Sequence, residues 1–375
     1  MRWTRATTAT RTLTWIALLG GAWTSSSCAP SGFADETLIA TVRILASSSD
    51  PAYAQPGSSV GLQVLAYDGR TTQAEPMQIF WLPFVCEDPT DDAYYACFQQ
   101  LGSGDAGAPV GGDGGAGSAG IGALRPGVDL TPFLPTGPSY QFTMPSDVVT
   151  QHTPVAGEPV PYGLGILFNV ACAGHLELVA PDPSSDNPQQ VPLGCFDQSE
   201  NQLGPDDWVL GFTRVYAFEP DAGVDGGPIT NANPVMSSID VQGNPLTVTL
   251  EPNTSQIYTT QTFTTSHCTT SKTSDCPHIA IGPVVPSSSW EVTQQVASDG
   301  SLEHEEIWAD FYSSFGSFTG DASLLYDATQ GSIGDPSVTD NQFLPPTTAG
   351  NGFIWIVVHD NRGGASWVTI PVEVQ

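Results

Sequence analysis

The seven cysteines of this 375-residue chain constrain its architecture more than any other feature. Six of them form three close pairs along the sequence, and the seventh, Cys28, stands alone behind a short apolar stretch. The paired positions are Cys86 and Cys97, Cys172 and Cys195, and Cys268 and Cys276. In an oxidising compartment such pairs predict three disulfides, and pairing of neighbours is the simplest of the many connectivities that six cysteines allow.

The N-terminus has the pattern of an export signal. Three arginines precede an apolar run over residues 13–23, and small polar residues follow the run. The run is shorter than the roughly 20 residues that a helix needs to cross a bilayer, and no second run of that length follows. We therefore expect the mature chain not to be transmembrane.

The segment that ends at Cys28 resembles a bacterial lipoprotein signal, in which the cysteine is acylated and becomes the new N-terminus. The resemblance implies a signal peptide over residues 1–27 and a lipidated tether over residues 28–36. Cleavage after Ala34 is the alternative, and it leaves the same six cysteines. Because several acyl chains anchor a protein firmly, and Ala29 replaces the aspartate typical of inner-membrane retention, we expect an outer-membrane or cell-surface location, or otherwise a secreted protein.

The charge balance restricts the partners. The chain has 9 basic and 39 acidic side chains, and three of the basic ones lie within the signal peptide. A field of this sign repels nucleic acid and anionic membrane surfaces, whereas calcium or cationic partners are compatible with it. Dispersed acidic residues also simply keep a protein soluble. We expect no nucleic-acid partner, and contact with the membrane only through the lipid anchor.

The hydrophobic pattern predicts an all-β fold, because short β-branched and aromatic runs recur between turn residues and long helical stripes are missing. The length suits two domains. Residues 221–232 have the composition of a linker, which predicts tandem β-sandwich domains over residues 37–220 and 233–375. The glycine-rich residues 102–127 predict a disordered insertion in the first domain.

Several strands are predicted individually. In the first half they cover residues 38–45, 60–67, 77–82, 140–144, 163–172 and 209–218. Near the C-terminus, the alternation of Val368, Ile370, Val372 and Val374 predicts a strand with one buried face. Pro371 within it predicts a sheet edge, because proline has no amide hydrogen to donate.

Residues 353–374 predict a terminal β-hairpin whose turn is Asp360–Gly364. This hairpin resembles the last two strands of bacterial immunoglobulin-like, cadherin-like and polycystic-kidney-disease-type modules. Residues 307–312 look like the central strand of such a module, in which a buried tryptophan, here Trp308, anchors the core. The resemblance implies immunoglobulin-like β-sandwiches and no particular activity, because these folds have many unrelated functions.

The whole chain is similar to surface lipoproteins of myxobacteria that carry no assigned activity. The residues that carry this similarity are 42–46, 81–86 and 94–98. The resemblance implies a surface location and transfers no reaction or ligand.

Two groups of residues offer metal ligands, although we predict no cofactor. His267, Cys268, Cys276 and His278 together provide a ligand set that zinc accepts, but adjacent ligands chelate poorly and a disulfide between the cysteines is the favoured interpretation. Calcium is the weaker alternative cofactor, since oxygen ligands suit it. Its candidate ligands are Glu87, Asp88, Asp91 and Asp92, or Asp221 and Asp225 in the linker.

No catalytic motif accompanies these groups. Glu303, Glu305 and Glu306 beside His304 have the chemistry of acids and bases, but they more simply form the polar approach to the next strand. The sequence contains no Gly-x-Ser-x-Gly nucleophile motif. We predict a non-catalytic protein rather than an enzyme.

The predicted function is that of a surface lipoprotein with a structural or adhesive role, whose partner is a surface protein or a polysaccharide. The alternative is a secreted carbohydrate-binding accessory protein or a hydrolase component. Exposed Trp208 or Trp290 rings would favour sugar binding, and buried rings would favour core packing.

Overall fold

The computed structural model describes residues 36–98, 126–153, 160–180, 191–223, 227–251, 254, 257–270, 275–296, 302–328, 332–333 and 340–375. The predicted signal peptide over residues 1–27 and Cys28 lie outside the described residues. So do nearly all of the tether over residues 28–36 and of the glycine-rich segment over residues 102–127. The described residues all fall within one compact unit, and the predicted boundaries at 221–232 stay a prediction.

The described strands are β1 (Val42–Asp50), β2 (Tyr53–Ala54), β3 (Ser59–Asp68), β4 (Gln78–Trp81), β5 (Cys86–Glu87), β6 (Ser139–Thr143), β7 (Gly163–Cys172), β8 (His175–Leu178), β9 (Leu193–Phe196), β10 (Trp208–Ala217), β11 (Ser238–Val241), β12 (Asn244–Leu250), β13 (Ile257–Thr260), β14 (Phe263–Thr265), β15 (Ile279–Val284), β16 (Val292–Val296), β17 (Leu302–His304), β18 (Ile307–Ser313), β19 (Ser317–Phe318), β20 (Ala322–Asp327), β21 (Ser332–Ile333), β22 (Asn341–Leu344), β23 (Gly350–Asp360) and β24 (Ala365–Val374). The short helix α1 (Val148–Gln151) and the 3-10 turns Thr90–Asp92, Thr131–Phe133 and Ser287–Ser289 accompany them. The all-β prediction is confirmed.

Strands β1 to β10 form the N-terminal sandwich. A sheet of order β1-β3-β6 faces a sheet of order β2-β10-β7-β4, in which β5 also pairs with β7. Strand β2 runs parallel to β10, whereas the other pairs are antiparallel. This strand order, with early strands in both sheets and the last two long strands side by side, is that of an immunoglobulin-like sandwich.

Strand β7 is buried along its whole length. One face packs into the core between the two sheets, where Leu167 meets Val60 and Val215. The other face packs under β8, β9 and the adjoining loops, where Phe168 and Leu164 lie in a second core. The sequence of β7 is therefore almost continuously apolar, as expected for a strand that is covered on both sides.

Strands β11 to β15 and β18 to β24 form the C-terminal sandwich. One part of the sheet has the order β19-β22-β15-β11, and the other has the order β13-β24-β23-β18-β20-β21, with β12 pairing to both β11 and β13. Residues from the two parts meet in a single core, in which Ile281 and Phe343 pack with Phe311, Ile356 and Val368. The strand order is again that of an immunoglobulin-like sandwich.

The terminal hairpin is confirmed, but its last strand is not at a sheet edge. Strand β24 pairs with β23 on one side and with β13 and β14 on the other. The prediction from Pro371 was wrong because the β13 ladder ends opposite Thr369 and the β14 ladder begins opposite Val372. Pro371 therefore lies opposite an interruption, where no strand needs its missing amide hydrogen.

The outer face of the hairpin contacts the N-terminal sandwich. Trp355 packs with Leu45, and Val357 and Trp367 pack with Ala46; all five residues are buried. The alternation predicted for Val368, Ile370, Val372 and Val374 is confirmed, because these four residues are buried and the residues between them are not. The preceding residues of β24, Ala365 to Trp367, are buried on both faces. This contact joins the two sandwiches through apolar side chains of β1, β23 and β24.

The tryptophan expected to anchor a core is not Trp308. In β18 the residues that face the core are Ile307, Ala309 and Phe311, and Trp308 points to the other face, where it stacks on His359 at 5.3 Å. The corresponding tryptophan lies in the N-terminal sandwich, because Trp81 of β4 is fully buried.

Candidate functional site

A disulfide and a short hairpin place the candidate site at one end of the N-terminal sandwich. Strands β8 and β9 pair in antiparallel register directly after β7. Cys172, the last residue of β7, is bonded to Cys195 in β9, with their Cα atoms 5.9 Å apart. The bond therefore fixes both the segment that begins at His175 and the turn that follows β9.

The turn after β9 is held by one carboxylate. Asp197 Oδ1 accepts hydrogen bonds from the amides of Ser199 and Asn201 at 2.8 and 2.9 Å. The hydrogen bond from the Asn201 side chain, together with these amides, lowers the pKa of Asp197, so the carboxylate stays ionised. The turn presents Glu200 toward β8, with a backbone φ of 61°.

Three potential ligands converge in front of this turn. His175 and Glu177 lie two residues apart in β8 and therefore point to the same side. His175 Nε2 is 3.2 Å from Glu177 Oε1 and 3.5 Å from Glu200 Oε2. Their three ligand atoms lie within 4.8 Å of one another, and they form the one such group of histidine, cysteine and acidic residues that the described part of the chain contains.

The group lies in an open cleft of about 660 Å³. Two more carboxylates line the cleft: Glu75, whose Oε1 accepts the Gln198 amide at 2.9 Å, and Asp129, whose Oδ1 accepts the Thr131 amide at 2.8 Å. The other lining residues are Gln78, Gly127, Thr131, Gly174, His175, Glu177, Gln198 and Glu200. With four carboxylates and one imidazole, the cleft is suited to bind a cation or a cationic group.

A smaller groove of about 400 Å³ lies on the segment that joins β9 to β10. It is lined by Gln202, Leu203, Pro205, Trp208, Val209 and Leu210. Trp208 is half-buried and lines this groove, whereas the half-buried Trp290 stacks on Tyr326 at 4.4 Å and packs against the C-terminal core. Trp208 therefore faces this groove and also packs against the core under β8 and β9.

The prediction of disulfides is confirmed, and the six cysteines are joined as neighbours: Cys86–Cys97, Cys172–Cys195 and Cys268–Cys276. The third bond leaves no thiolate for the zinc set that was considered with His267 and His278. His267 Nδ1 instead contacts the Gln375 carbonyl oxygen at 2.7 Å, and His278 is exposed.

The calcium candidates near the first disulfide are engaged by protein groups. Asp88 Oδ1 accepts the Leu164 amide at 2.7 Å. The Asp92 carboxylate contacts His152 Nε2 at 3.1 Å and accepts the Tyr162 hydroxyl at 2.5 Å. Burial, with a smaller contribution from neighbouring acids, raises the pKa of Glu87. Asp88 and Asp92 therefore act as internal hydrogen-bond acceptors. In the linker pair, Asp225 lies outside the described residues.

Among the acidic residues near His304, Glu305 has a structural role. This side chain is fully buried and forms an ion pair with Arg362 in the β23–β24 turn. Burial, assisted by the charge of Asp360 and opposed by Arg362, raises the pKa of Glu305 to about 7. Arg362 also binds Glu291 at 2.8 Å. Glu305 is therefore part of an internal ion-pair network with Arg362 and Glu291.

The sequence interpretation missed His175, Glu177 and Glu200. A signal was present, because a His-x-Glu alternation begins three residues after Cys172 and Glu200 stands five residues after Cys195. The pairing of β8 with β9 and the disulfide between those cysteines bring the two segments together. The spacing of 25 residues between His175 and Glu200 does not by itself indicate that their side chains are close in the fold.

No protein-family model matches the chain, and no curated protein matches it either. Among solved structures, the D0-D1 domain of intimin is 7% identical, with 88% of this chain and 98% of that chain covered at a TM-score of 0.17. Fibronectin(III)-like modules of Clostridium thermocellum CbhA are 9% identical, covering 89% and 94% at a TM-score of 0.18. At such scores these likenesses carry no argument, and the strand order described above defines the fold. No described helix has the length and apolar character needed to cross a membrane.

The Cys172–Cys195 bond closes the longest disulfide loop of the chain, and the Cys268–Cys276 bond closes the shortest. The first bond is expected to contribute more to stability than the second. Replacing both cysteines with alanine is expected to lower the free energy of unfolding by about 3.5 kcal/mol, because the bond closes a loop with a sequence separation of 23. The matched control is the double alanine variant at Cys268 and Cys276, with a separation of 8 and an expected loss of about 2.6 kcal/mol. Urea denaturation measures both, and a larger loss in the control would contradict the expectation.

Proposed function

We propose that this chain is an exported, non-catalytic surface protein that acts by binding, with the acidic cleft beside β8 as its recognition site. The observation that carries the proposal is the Cys172–Cys195 disulfide, because it holds the two segments that contribute His175, Glu177 and Glu200 to the cleft. A disulfide at this place matches an oxidising compartment. It also keeps the binding groups in fixed positions, which lowers the entropic cost of binding.

The proposed location is the outer membrane or the cell surface, with the acyl chains on Cys28 as the anchor. The contact of the two sandwiches through Trp355 and Trp367 supports a display role, because buried apolar side chains join the sandwich that carries the cleft to its neighbour. The proposed partner is a surface protein or cell-surface polymer with cationic groups, since the cleft has four carboxylates.

The test compares the full chain with a Cys28→Ala variant in a Gram-negative host. We expect the wild-type chain in the membrane fraction, accessible to protease on intact cells and carrying an acyl mass in intact-mass analysis. The variant should be exported without the acyl mass and released from the membrane. Retention of the wild-type chain in the cytoplasm with reduced cysteines would overturn the proposal.

Sugar binding is the second candidate, because Trp208 lines the neighbouring groove and aromatic rings pack against apolar sugar faces. Retention of the purified chain on polysaccharides, lost in Trp208→Ala and kept in Phe133→Ala, would favour this function over a cationic partner. Phe133 is the matched control because it is 68% exposed and does not line the groove.

A further inference from the structure

We infer that His175, Glu177 and Glu200 form a binding site for a divalent transition metal of the zinc class. The inference rests on the proposed function only in that it assigns a ligand to the same cleft. It goes beyond the sequence interpretation, which predicted no cofactor. Three observations carry it: the distances between the ligand atoms, the mixed nitrogen and oxygen ligand set, and the open cleft in front of it.

The distances match a metal ligand shell. Zinc is held at about 2.0–2.1 Å by histidine nitrogen and carboxylate oxygen, which places two tetrahedral ligand atoms roughly 3.3 Å apart. His175 Nε2 is 3.2 Å from Glu177 Oε1 and 3.5 Å from Glu200 Oε2. Both distances are close to that separation, and all three atoms lie within 4.8 Å of one another.

One imidazole nitrogen cannot donate a hydrogen to both carboxylates. The Nε2 atom of an imidazole carries at most one hydrogen, and yet two carboxylate oxygens face this one atom. A neighbouring pair of anionic oxygens repels when no cation lies between them. A divalent ion would bind all three groups at once. A hydrogen on the imidazole nitrogen can be donated to only one of the two carboxylate oxygens.

The ligand set selects the kind of ion. Calcium prefers six to eight oxygen ligands, and a histidine nitrogen does not suit it. Imidazole with carboxylates suits zinc and the neighbouring transition metals. Glu177 is nearly buried, with 12% of its side chain exposed, and Glu200 is 71% exposed, so the shell is closed toward the protein and open toward the cleft. That open side leaves a coordination position for water or for a group of a binding partner.

The test is titration of Zn²⁺ into the purified, disulfide-bonded chain by isothermal calorimetry at neutral pH. We expect one zinc per chain in the wild type, and an affinity reduced at least about 10-fold in His175→Ala and in Glu177→Gln. His278→Ala is the matched control, because it removes an exposed histidine outside the cleft and should leave the affinity unchanged. Zinc should raise the Tm of the wild type and of the control but not that of His175→Ala.

A second variant keeps the test decisive if the strand substitutions impair folding. Glu200→Gln replaces one carboxylate oxygen of an exposed side chain with an amide nitrogen, and it should still weaken zinc binding. Equal zinc affinity in wild type, His175→Ala and Glu200→Gln would overturn the site, and so would binding of Ca²⁺ that His175→Ala leaves unchanged. Zinc binding by a chain that stays in the cytoplasm would overturn the proposed function alone, whereas a surface-exposed chain without zinc affinity would overturn this site alone.

Discussion

Replacing Arg362 with methionine is expected to lower the free energy of unfolding by about 3–5 kcal/mol, because it leaves a buried charge without its partner. Glu305 is fully buried, and its carboxylate is paired with the Arg362 guanidinium. Arg362 also donates hydrogen bonds to Asn231 Oδ1 and Glu291 Oε2, each at 2.8 Å, and lies over the Tyr53 ring at 5.4 Å. The substitution thus removes one cation from a network that joins the terminal hairpin to both sandwiches.

The loss should depend on pH in a defined direction. Burial and the nearby Asp360 raise the pKa of Glu305 to about 7, from an ordinary value near 4.5, although Arg362 opposes the shift. The folded carboxyl therefore binds more protons than the unfolded one, and the stability that it contributes is lost as the pH rises from about 4.5 through 7. Without Arg362 the folded pKa rises further, so the Arg362→Met variant should lose more stability at pH 8 than at pH 5.

Urea denaturation of the disulfide-bonded chain at both pH values measures these losses. The matched comparison is the double variant Glu305→Gln/Arg362→Met, which removes the carboxylate together with its partner. We expect this variant to be more stable at pH 8 than Arg362→Met alone, because the buried Glu305 carboxylate is removed together with its partner. An Arg362→Met protein as stable as the wild type, or one whose loss is the same at pH 5 and pH 8, would contradict this account of the network.

The strands were largely predictable because each carries a local signal. Strand β7 has the predicted bounds, residues 163–172, since its apolar run ends at turn residues on both sides. What a pattern could not give was the set of neighbours of each strand. Pro371 was placed at an edge on local chemistry alone, while the interruption between β13 and β14 that accommodates it depends on residues more than 100 positions earlier.

The candidate site was not predictable for a related reason. Glu305 was grouped with its sequence neighbours, but its partner Arg362 lies 57 residues later and decides its role. His175, Glu177 and Glu200 lie on two segments that the β8–β9 pairing and the Cys172–Cys195 bond hold together, so a search for closely spaced ligands passes over them. The cysteine pairs were therefore more informative about the site than any cluster of acidic residues.

The second large effect is expected at Trp81, whose replacement with alanine should lower the free energy of unfolding by about 3–5 kcal/mol. Trp81 is fully buried in the core of the N-terminal sandwich, and its ring stacks on Tyr140 at 5.5 Å. Its Nε1 atom donates a hydrogen bond to the Gly137 carbonyl oxygen at 2.9 Å. Truncation removes the ring contacts, opens a cavity between the sheets and leaves that oxygen without its donor.

Two further variants separate these contributions. Trp81→Phe keeps much of the apolar ring and removes the donor, so its loss should be smaller than that of Trp81→Ala by the energy of the missing ring contacts. Phe133→Ala is the control for loss of an aromatic side chain without a cavity, because Phe133 is 68% exposed, and it should change the free energy of unfolding by at most about 0.5 kcal/mol. Equal losses in Trp81→Ala and Phe133→Ala would show that β4 does not anchor the core of the N-terminal sandwich. A large loss in Trp81→Ala alone would show that the anchoring tryptophan lies in the sandwich that also carries the cleft. In that variant, a lower free energy of unfolding should therefore be accompanied by a disturbed cleft.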